Sequence, residues 1–470
     1  MKHQAFNPYL PSWEYIPDGE PYVFGDRVYV YGSHDFFNGA VFCMGDYMGW
    51  SAPVDDLGNW RCEGVIYPRD ADPCNVEGKM CFYAPDVTQG PDGRYYLYYV
   101  YDKVGFVSVA VSDSPAGRFR FLGYVKDRNG VRLGERPGDE PQFDPGVLTE
   151  DGQVFLYTGF CGHGDRSRHG AMCTVLEPDM VTIREEPRFV VPGAMYAEGT
   201  GFEGHAFFEA SSIRKRGDLY YFIYSSQVMH ELCYAVAKDP RGPFTYGGVL
   251  VSNVDRGIGG WKDPEQAVAY GGNNHGSMVE IAGQWYIFYH RQTNGHWFSR
   301  QGCAEPLTFD GEGRIAQAEM TSCGLNGGPL RGEGDYPAHI ACHLFSKEYQ
   351  DLYAGDPRLP MVTQEGGDDD RRPAYIARIT EGTVIGFRDF DCRGVTGIAV
   401  ETRGYTHGSF EVRCAFDGEV LGEIPLYASN VWERHTAYMP IPDGVHGLWL
   451  TCRGGGTAQL KTVGFLHREG

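Results

Sequence analysis

The chain is poor in basic residues, has no long apolar run and holds no cysteine pair spaced C-x-x-C. Its 41 Lys and Arg are outnumbered by 62 Asp and Glu, giving a formal net charge of −21. Phosphate recognition needs clustered basic side chains, so this balance disfavours a nucleic-acid partner and an anionic membrane surface alike. No apolar stretch reaches the roughly 18 residues of a spanning helix. The opening MKHQAFNPYLPSWEYIPDGE has neither an apolar core of signal-peptide length nor a small-residue cleavage site. The 13 cysteines are scattered and odd in number, the pattern of reduced, mostly buried thiols. A cytoplasmic location is the expectation. Convincing helical periodicity is also missing throughout.

What is abundant is Gly (65), Tyr (31), Phe (27) and Trp (8). That mixture suits short strands joined by tight turns, and either an aromatic β core or a surface that stacks on flat ligands such as sugar rings. At 470 residues the chain exceeds the usual reach of one hydrophobic core, so two domains are expected. One unit recurs, an apolar strand, a Gly/Asp turn and an aromatic-rich strand. Its copies are PYVFGDRVYVYGS (21–33), APDVTQGPDGRYYLYYV (84–100), DPGVLTEDGQVFLYTG (144–159), EASSIRKRGDLYYFIYSS (209–226) and HGSMVEIAGQWYIFYH (275–290). They lie about 55 to 70 residues apart, room for four short strands each. The predicted fold is all-β: a five-bladed β-propeller over 1–330, a linker rich in charge, Gly and Pro over 331–372, and a β-sandwich over 373–470.

In a propeller the first strand of each blade lines the central channel. Equivalent positions at the start of the five copies carry Asp18, Asp86, Asp144, Glu209 and His275. Asp beside Pro and Gly often serves only a turn, which is the plainer reading of Asp18 and Asp144. Glu209 follows Phe207 and Phe208, a setting that desolvates the carboxyl group and raises its pKa. A raised carboxyl pKa is what a general acid needs near neutral pH. Three carboxylates around a neutral pocket, Asp18, Asp86 and Glu209, suit glycoside hydrolysis. Glu20 is a rival to Asp18, because residues i and i+2 of a strand share a face.

At these residues the sequence resembles glycoside hydrolase family 43 over nearly all of residues 5–325. NPYLP…PDGEPYVFGDRVYVYGSHD looks like the first-blade motif, YAPDV like W-A-P-D-V, FFEASS like the E-G-P segment, and NNHGSM like the fourth-to-fifth-blade histidine motif. The resemblance implies a five-bladed propeller and an inverting mechanism, with Asp18 as general base, Glu209 as general acid and Asp86 tuning and orienting the acid. It further implies a calcium ion near His275, a reading matched by a purely structural histidine, and sugar contacts from Arg300. His34, Asp35 and Trp50 are expected in the pocket wall, with Asp144 among the substrate contacts. The sequence departs from the family where Ala-Ser follows Glu209 and where the base motif reads Pro-Asp-Gly.

The implied activity is exo-acting release of terminal α-L-arabinofuranose or β-D-xylose from small plant-derived oligosaccharides, without an organic cofactor. A galactosidase of the same family and a non-catalytic sugar-binding propeller are the alternatives. Fructosidases of similar fold are disfavoured because their Asn-Asp-Pro-Asn motif is absent. The C-terminal unit resembles carbohydrate-binding module family 6 at the level of fold. Monomer and homo-oligomer both stay open.

Overall fold

The computed structural model describes residues 2–162, 167–228, 231–258, 267–349, 356–368 and 370–467. The first sheet holds β1 (Glu20–Phe24), β2 (Arg27–Tyr31), β3 (Tyr47–Pro53) and β4 (Arg61–Tyr67). The second holds β5 (Asp86–Gln89), β6 (Tyr95–Tyr99), β7 (Ser108–Ser112) and β8 (Arg120–Tyr124). The third holds β9 (Gly146–Glu150), β10 (Gln153–Thr158), β11 (Gly170–Leu176) and β12 (Ile183–Pro192). The fourth holds β13 (Phe207–Arg216), β14 (Leu219–Ser226), β15 (Glu231–Ala237) and β16 (Thr245–Ser252). The fifth has three strands, β17 (Met278–Ile281), β18 (Gln284–Arg291) and β19 (Gln301–Pro306). Each sheet is an antiparallel meander, and together they are the five blades of a propeller.

The alternation in the repeats now has its cause. In β6, Tyr96 and Tyr98 pack with Val147, Val154 and Leu156 of the third blade. Leu97 and Tyr99 face the other way, onto Tyr31, Tyr47 and Tyr67 of the first. Both faces of a blade are therefore apolar, which is why aromatic and branched residues occupy odd and even positions alike.

The ring closes through the N-terminal segment. Tyr9 N–H donates to Gly302 O at 3.1 Å, and Asn7 exchanges side-chain hydrogen bonds with the Ala304 backbone, both at 2.9 Å. Residues 7–9 thus run along β19, binding the first blade's leader to the last blade. Inner strands approach closely where side chains are small. A Cβ on Gly146 would lie 2.5 Å from the Ser211 carbonyl, so this position between the third and fourth blades needs glycine.

The remaining strands are β20 (Leu330–Arg331), β21 (Gly334–Pro337), β22 (His343–Ser346), β23 (Met361–Thr363), β24 (Tyr375–Ile379), β25 (Thr383–Asp391), β26 (Val395–Arg413), β27 (Gly422–Leu426), β28 (Ser429–Tyr438) and β29 (Val445–His467). They form one ten-stranded sheet, curled around a core that includes Ile376, Phe387, Val400, Phe410, Leu450 and Val463. The segment 331–372, expected as a linker, supplies three complete strands and half of β20 to this sheet. Its charged loops conceal short pairings such as Tyr336 opposite Val463, too brief to show a period in the sequence. All 13 cysteines are free thiols. Among the described residues no helix is long and apolar enough to cross a membrane.

Candidate active site

A cavity of about 230 Å³ opens at the channel mouth, where the inner strands begin. Asp18, Asp144, Glu209, His275 and Arg300 line it, with Tyr83, Phe143, Phe160, Phe208 and Trp297 among its aromatic walls. Tyr83, Phe143, Phe160 and Phe208 form an arc, with successive ring centroids 5.3, 5.0 and 5.7 Å apart. This surround withdraws the carboxylates from water and sets their protonation.

Asp18 precedes β1 in a left-handed conformation, φ 57°, tolerated better by Asp than by most residues. Ser33 Oγ donates to its Oδ2, Arg300 Nη1 donates to Oδ1 at 2.9 Å, and His290 Nδ1 lies 3.2 Å from Oδ1. Burial alone would raise its pKa, but Arg300 and His290 outweigh that and hold the group well below the ordinary carboxylate range. Arg300 is itself clamped by Asp35, which accepts from Nε at 2.8 Å and from Nη2 at 3.1 Å.

Glu209 stands in a β-bulge of β13, where pairing with β14 shifts register on both sides of it. Bulges re-aim side chains, and this one turns Glu209 into the cavity. The next residue, Ala210, adopts φ 67°, and its N–H donates to Asp144 Oδ2 at 3.0 Å. Burial, then the charge of neighbouring Asp144, pushes the Glu209 carboxyl up to about 8. Asp144 is also raised, by burial first, with His275 opposing. His275 lies with Nδ1 3.6 Å from Asp144 and Nε2 3.7 Å from Glu20. Its burial disfavours charge, yet Glu20, Asp144 and Asp18 raise it to about 9.

Several expected positions turn out differently. Asp86 does not line the cavity. Its Oδ1 accepts from Tyr22 Oη and Val87 N–H and its Oδ2 from Val147 N–H, all at 2.7 Å, so it clips three inner strands together. Asp144, expected only as a substrate contact, occupies the place beside Glu209 instead. Glu20 is excluded as a rival to Asp18: it is fully buried away from the cavity and pairs with Arg214 at 2.6 Å. The shared-face argument fails because Asp18 lies before the strand, in a left-handed turn. Trp50 is core, donating Nε1–H to Glu14 Oε2 at 3.1 Å and packing on Trp13. His34 bonds Glu14 and Asp46, and Asp35 is spent on Arg300; neither lines the cavity. The aromatic arc, His290 and Trp297 were not anticipated, although an aromatic directly precedes Asp144 and Glu209 in sequence.

Among the described residues, two places bring metal-binding residue types together near the propeller strands. His275 Nε2 and Glu20 Oε1 face each other, buried and without hydrogen-bond partners. His205, Glu231 and Cys233 form a second group, with ligand atoms within 4.8 Å of one another.

A propeller whose channel mouth gathers a carboxylate held ionised, a second carboxylate and a carboxyl group that keeps its proton, all in an aromatic pocket, is the architecture of a glycoside hydrolase. Residues 25–315 match the glycosyl hydrolases family 43, and the chain belongs to that family. It is similar to the xylosidase/arabinosidase of Thermoclostridium stercorarium, with 60% identity over 467 residues covering 98% of this chain and 99% of that one. Among solved structures it resembles a β-xylosidase/α-arabinofuranosidase from a compost microbial metagenome (26% identity, TM-score 0.52), which covers 67% of this chain and 98% of that one. The fold extends over both units in an arabinoxylan arabinofuranohydrolase from Bacillus subtilis (20% identity, TM-score 0.54), covering 98% and 97%.

Proposed function

We propose that this hydrolase removes terminal β-D-xylose and α-L-arabinofuranose from short oligosaccharides by single displacement. The observation that carries the reading is a pair of carboxyl groups with opposite protonation in one pocket. Asp18 is kept ionised by Arg300 and His290, and Glu209 is kept protonated by burial and Asp144. Such divergence supports Asp18 as the base and Glu209 as the acid. Asp18 takes a proton from water as it attacks the anomeric carbon, and Glu209 gives its proton to the departing oxygen. Asp144 keeps Glu209 protonated and, through the Ala210 amide, holds the bulge that aims it. The cavity is smaller than the roughly 300–1,000 Å³ that takes a drug-sized ligand, which suits a single terminal ring. The names of the relatives support pentose as that ring.

The family also implies calcium at the channel centre. Glu20 Oε1 could ligate such an oxygen-preferring cation, and His275 Nε2, 3.7 Å away, could face it only after giving up the proton that its raised pKa retains. Such an ion would supply fixed positive charge beneath the carboxylates, while every proton transfer stays with Asp18 and Glu209.

The test is a panel of 4-nitrophenyl glycosides, including xyloside, arabinofuranoside and galactoside, with the anomer released followed by NMR. Pentose release with inverted configuration is expected. Retention, or turnover of galactoside alone, would refute the reading.

A further inference from the structure

His205, Glu231 and Cys233 come together on the fourth blade, away from the channel. Phe207 pairs with Ser226 and Glu231 with Ser252, so the start of β13, the end of β14 and the start of β15 meet at one edge of the blade. Glu231 and Cys233 are two residues apart in β15 and therefore leave the same face of the strand. His205 comes from the turn before β13 and lies over that face, its ring stacked on Tyr246 with centroids 4.8 Å apart.

The setting is otherwise apolar. Cys233 is fully buried in a core that includes Phe202, Ala206 and Tyr224. The Glu231 side chain is only 10% exposed, whereas that of His205, at 32%, keeps a route to solvent. A carboxylate is costly in such a place without a compensating positive charge. A pairing of Glu231 with His205 explains those two residues but not the thiol turned toward them. The sulfur's contact with Tyr246 Oη, at 4.0 Å, is long and weak.

The distances suit a tetrahedral ion. His205 Nδ1 and Glu231 Oε2 are 3.1 Å apart, close to the roughly 3.3 Å between nitrogen and oxygen ligands of one zinc ion. All three ligating atoms lie within 4.8 Å, so the sulfur reaches its place, about 3.6 Å from the others, by moving roughly 1 Å at most.

We propose that His205 Nδ1, a Glu231 carboxylate oxygen and Cys233 Sγ bind a divalent ion of the zinc class, with water in the fourth position. A nitrogen, an oxygen and a sulfur donor together select a borderline-soft ion over calcium, which takes oxygen ligands. Burial and the charge of Glu231 keep the Cys233 thiol protonated in the free protein, so binding releases that proton to solvent. Thiolate and carboxylate then balance the two positive charges of the ion. Held this way, the turn before β13 is tied to β15, and with it the approach to Phe208 and Glu209. The site does not depend on which sugar the enzyme takes.

Titration of the chelator-treated, full-length protein with Co²⁺, followed by displacement with Zn²⁺, tests it. One Co²⁺ binds per chain and gives a near-ultraviolet sulfur-to-cobalt charge-transfer band, which equimolar Zn²⁺ removes and excess Ca²⁺ does not. Cys233→Ser abolishes the band. His205→Ala weakens binding of both ions at least about tenfold and loses the rise in Tm that Zn²⁺ gives the parent. Both variants keep the parent's circular dichroism. Should Cys233→Ser not fold, His205→Ala decides alone, since its side chain is partly exposed. Absence of a sulfur band overturns the proposal. So does a band that survives Cys233→Ser, which would place the ion on another thiol, or parental affinity in His205→Ala.

Discussion

The amide of Ala210, the residue after Glu209, donates at 3.0 Å to Oδ2 of Asp144. One hydrogen bond thereby couples the aim of the acid to the carboxylate that raises its pKa. Asp144→Asn keeps an acceptor for the amide but removes the charge. The alkaline limb of kcat/KM then moves to lower pH, and kcat falls about 10- to 100-fold as proton donation weakens. Asp86→Ala gives the opposite pattern. It leaves the Val147 amide unpaired and lowers stability by about 1–3 kcal/mol in urea unfolding, with the pH limbs in place.

The pH profile of the unmodified enzyme follows from the two groups. Glu209 works only while protonated, and its carboxyl is raised to about 8, so kcat/KM is full below that pH and declines above it. Asp18 works only while ionised, and its pKa is depressed, so its own protonation lies far below the working range. An alkaline limb near an ordinary glutamate pKa would contradict this assignment.

Substituting the two groups separates their roles. Asp18→Asn removes the base and cuts turnover at least about 100-fold on every substrate, whatever the leaving group. Glu209→Gln is equally damaging on xylobiose but milder on a nitrophenyl pentoside, whose departing oxygen needs little protonation. Equal losses on both would remove Glu209 from the acid role.

Arg300 is buried at 2% exposure between Asp18 and Asp35. Asp35→Asn leaves that guanidinium half-paired in a desolvated site, at a cost of about 3 kcal/mol measured by denaturant unfolding. A loss under 0.5 kcal/mol would show that Asp35 is not its anchor.

Ala210 holds a left-handed backbone with a side chain that disfavours it. Ala210→Gly removes that strain while keeping the amide. Thermal unfolding should show a gain of about 0.5–1 kcal/mol, with kcat unchanged within twofold.

Strand positions and blade number were legible because the hairpin repeats five times and both faces of each blade are apolar. The mouth residues were legible too, since each copy starts with a polar group in an apolar setting. Which of them converge was not. Asp86 and Asp144 begin their copies alike, within A-P-D-V and F-D-P-G, yet Asp86 is absorbed by the amides of Val87 and Val147 and Asp144 is left facing Glu209. The choice depends on backbone angles before each strand: Asp18 and Asp144 sit at positive φ ahead of β1 and β9, whereas Asp86 is already the first residue of β5.

The same division holds for the bulk of the molecule. Sequence by itself determined the all-β class, the five-fold repeat, the acidic character and the identity of Glu209 as a desolvated carboxyl group, because composition and period are local properties. Tertiary structure decided the partner of that glutamate, the burial of Trp50, the pairing of Glu20 with Arg214 and the meeting of His205 with Glu231 and Cys233. Each of these depends on contacts between residues far apart in the chain, whose hydrogen bonds and mutual burial set protonation and aim, and no local pattern encodes them.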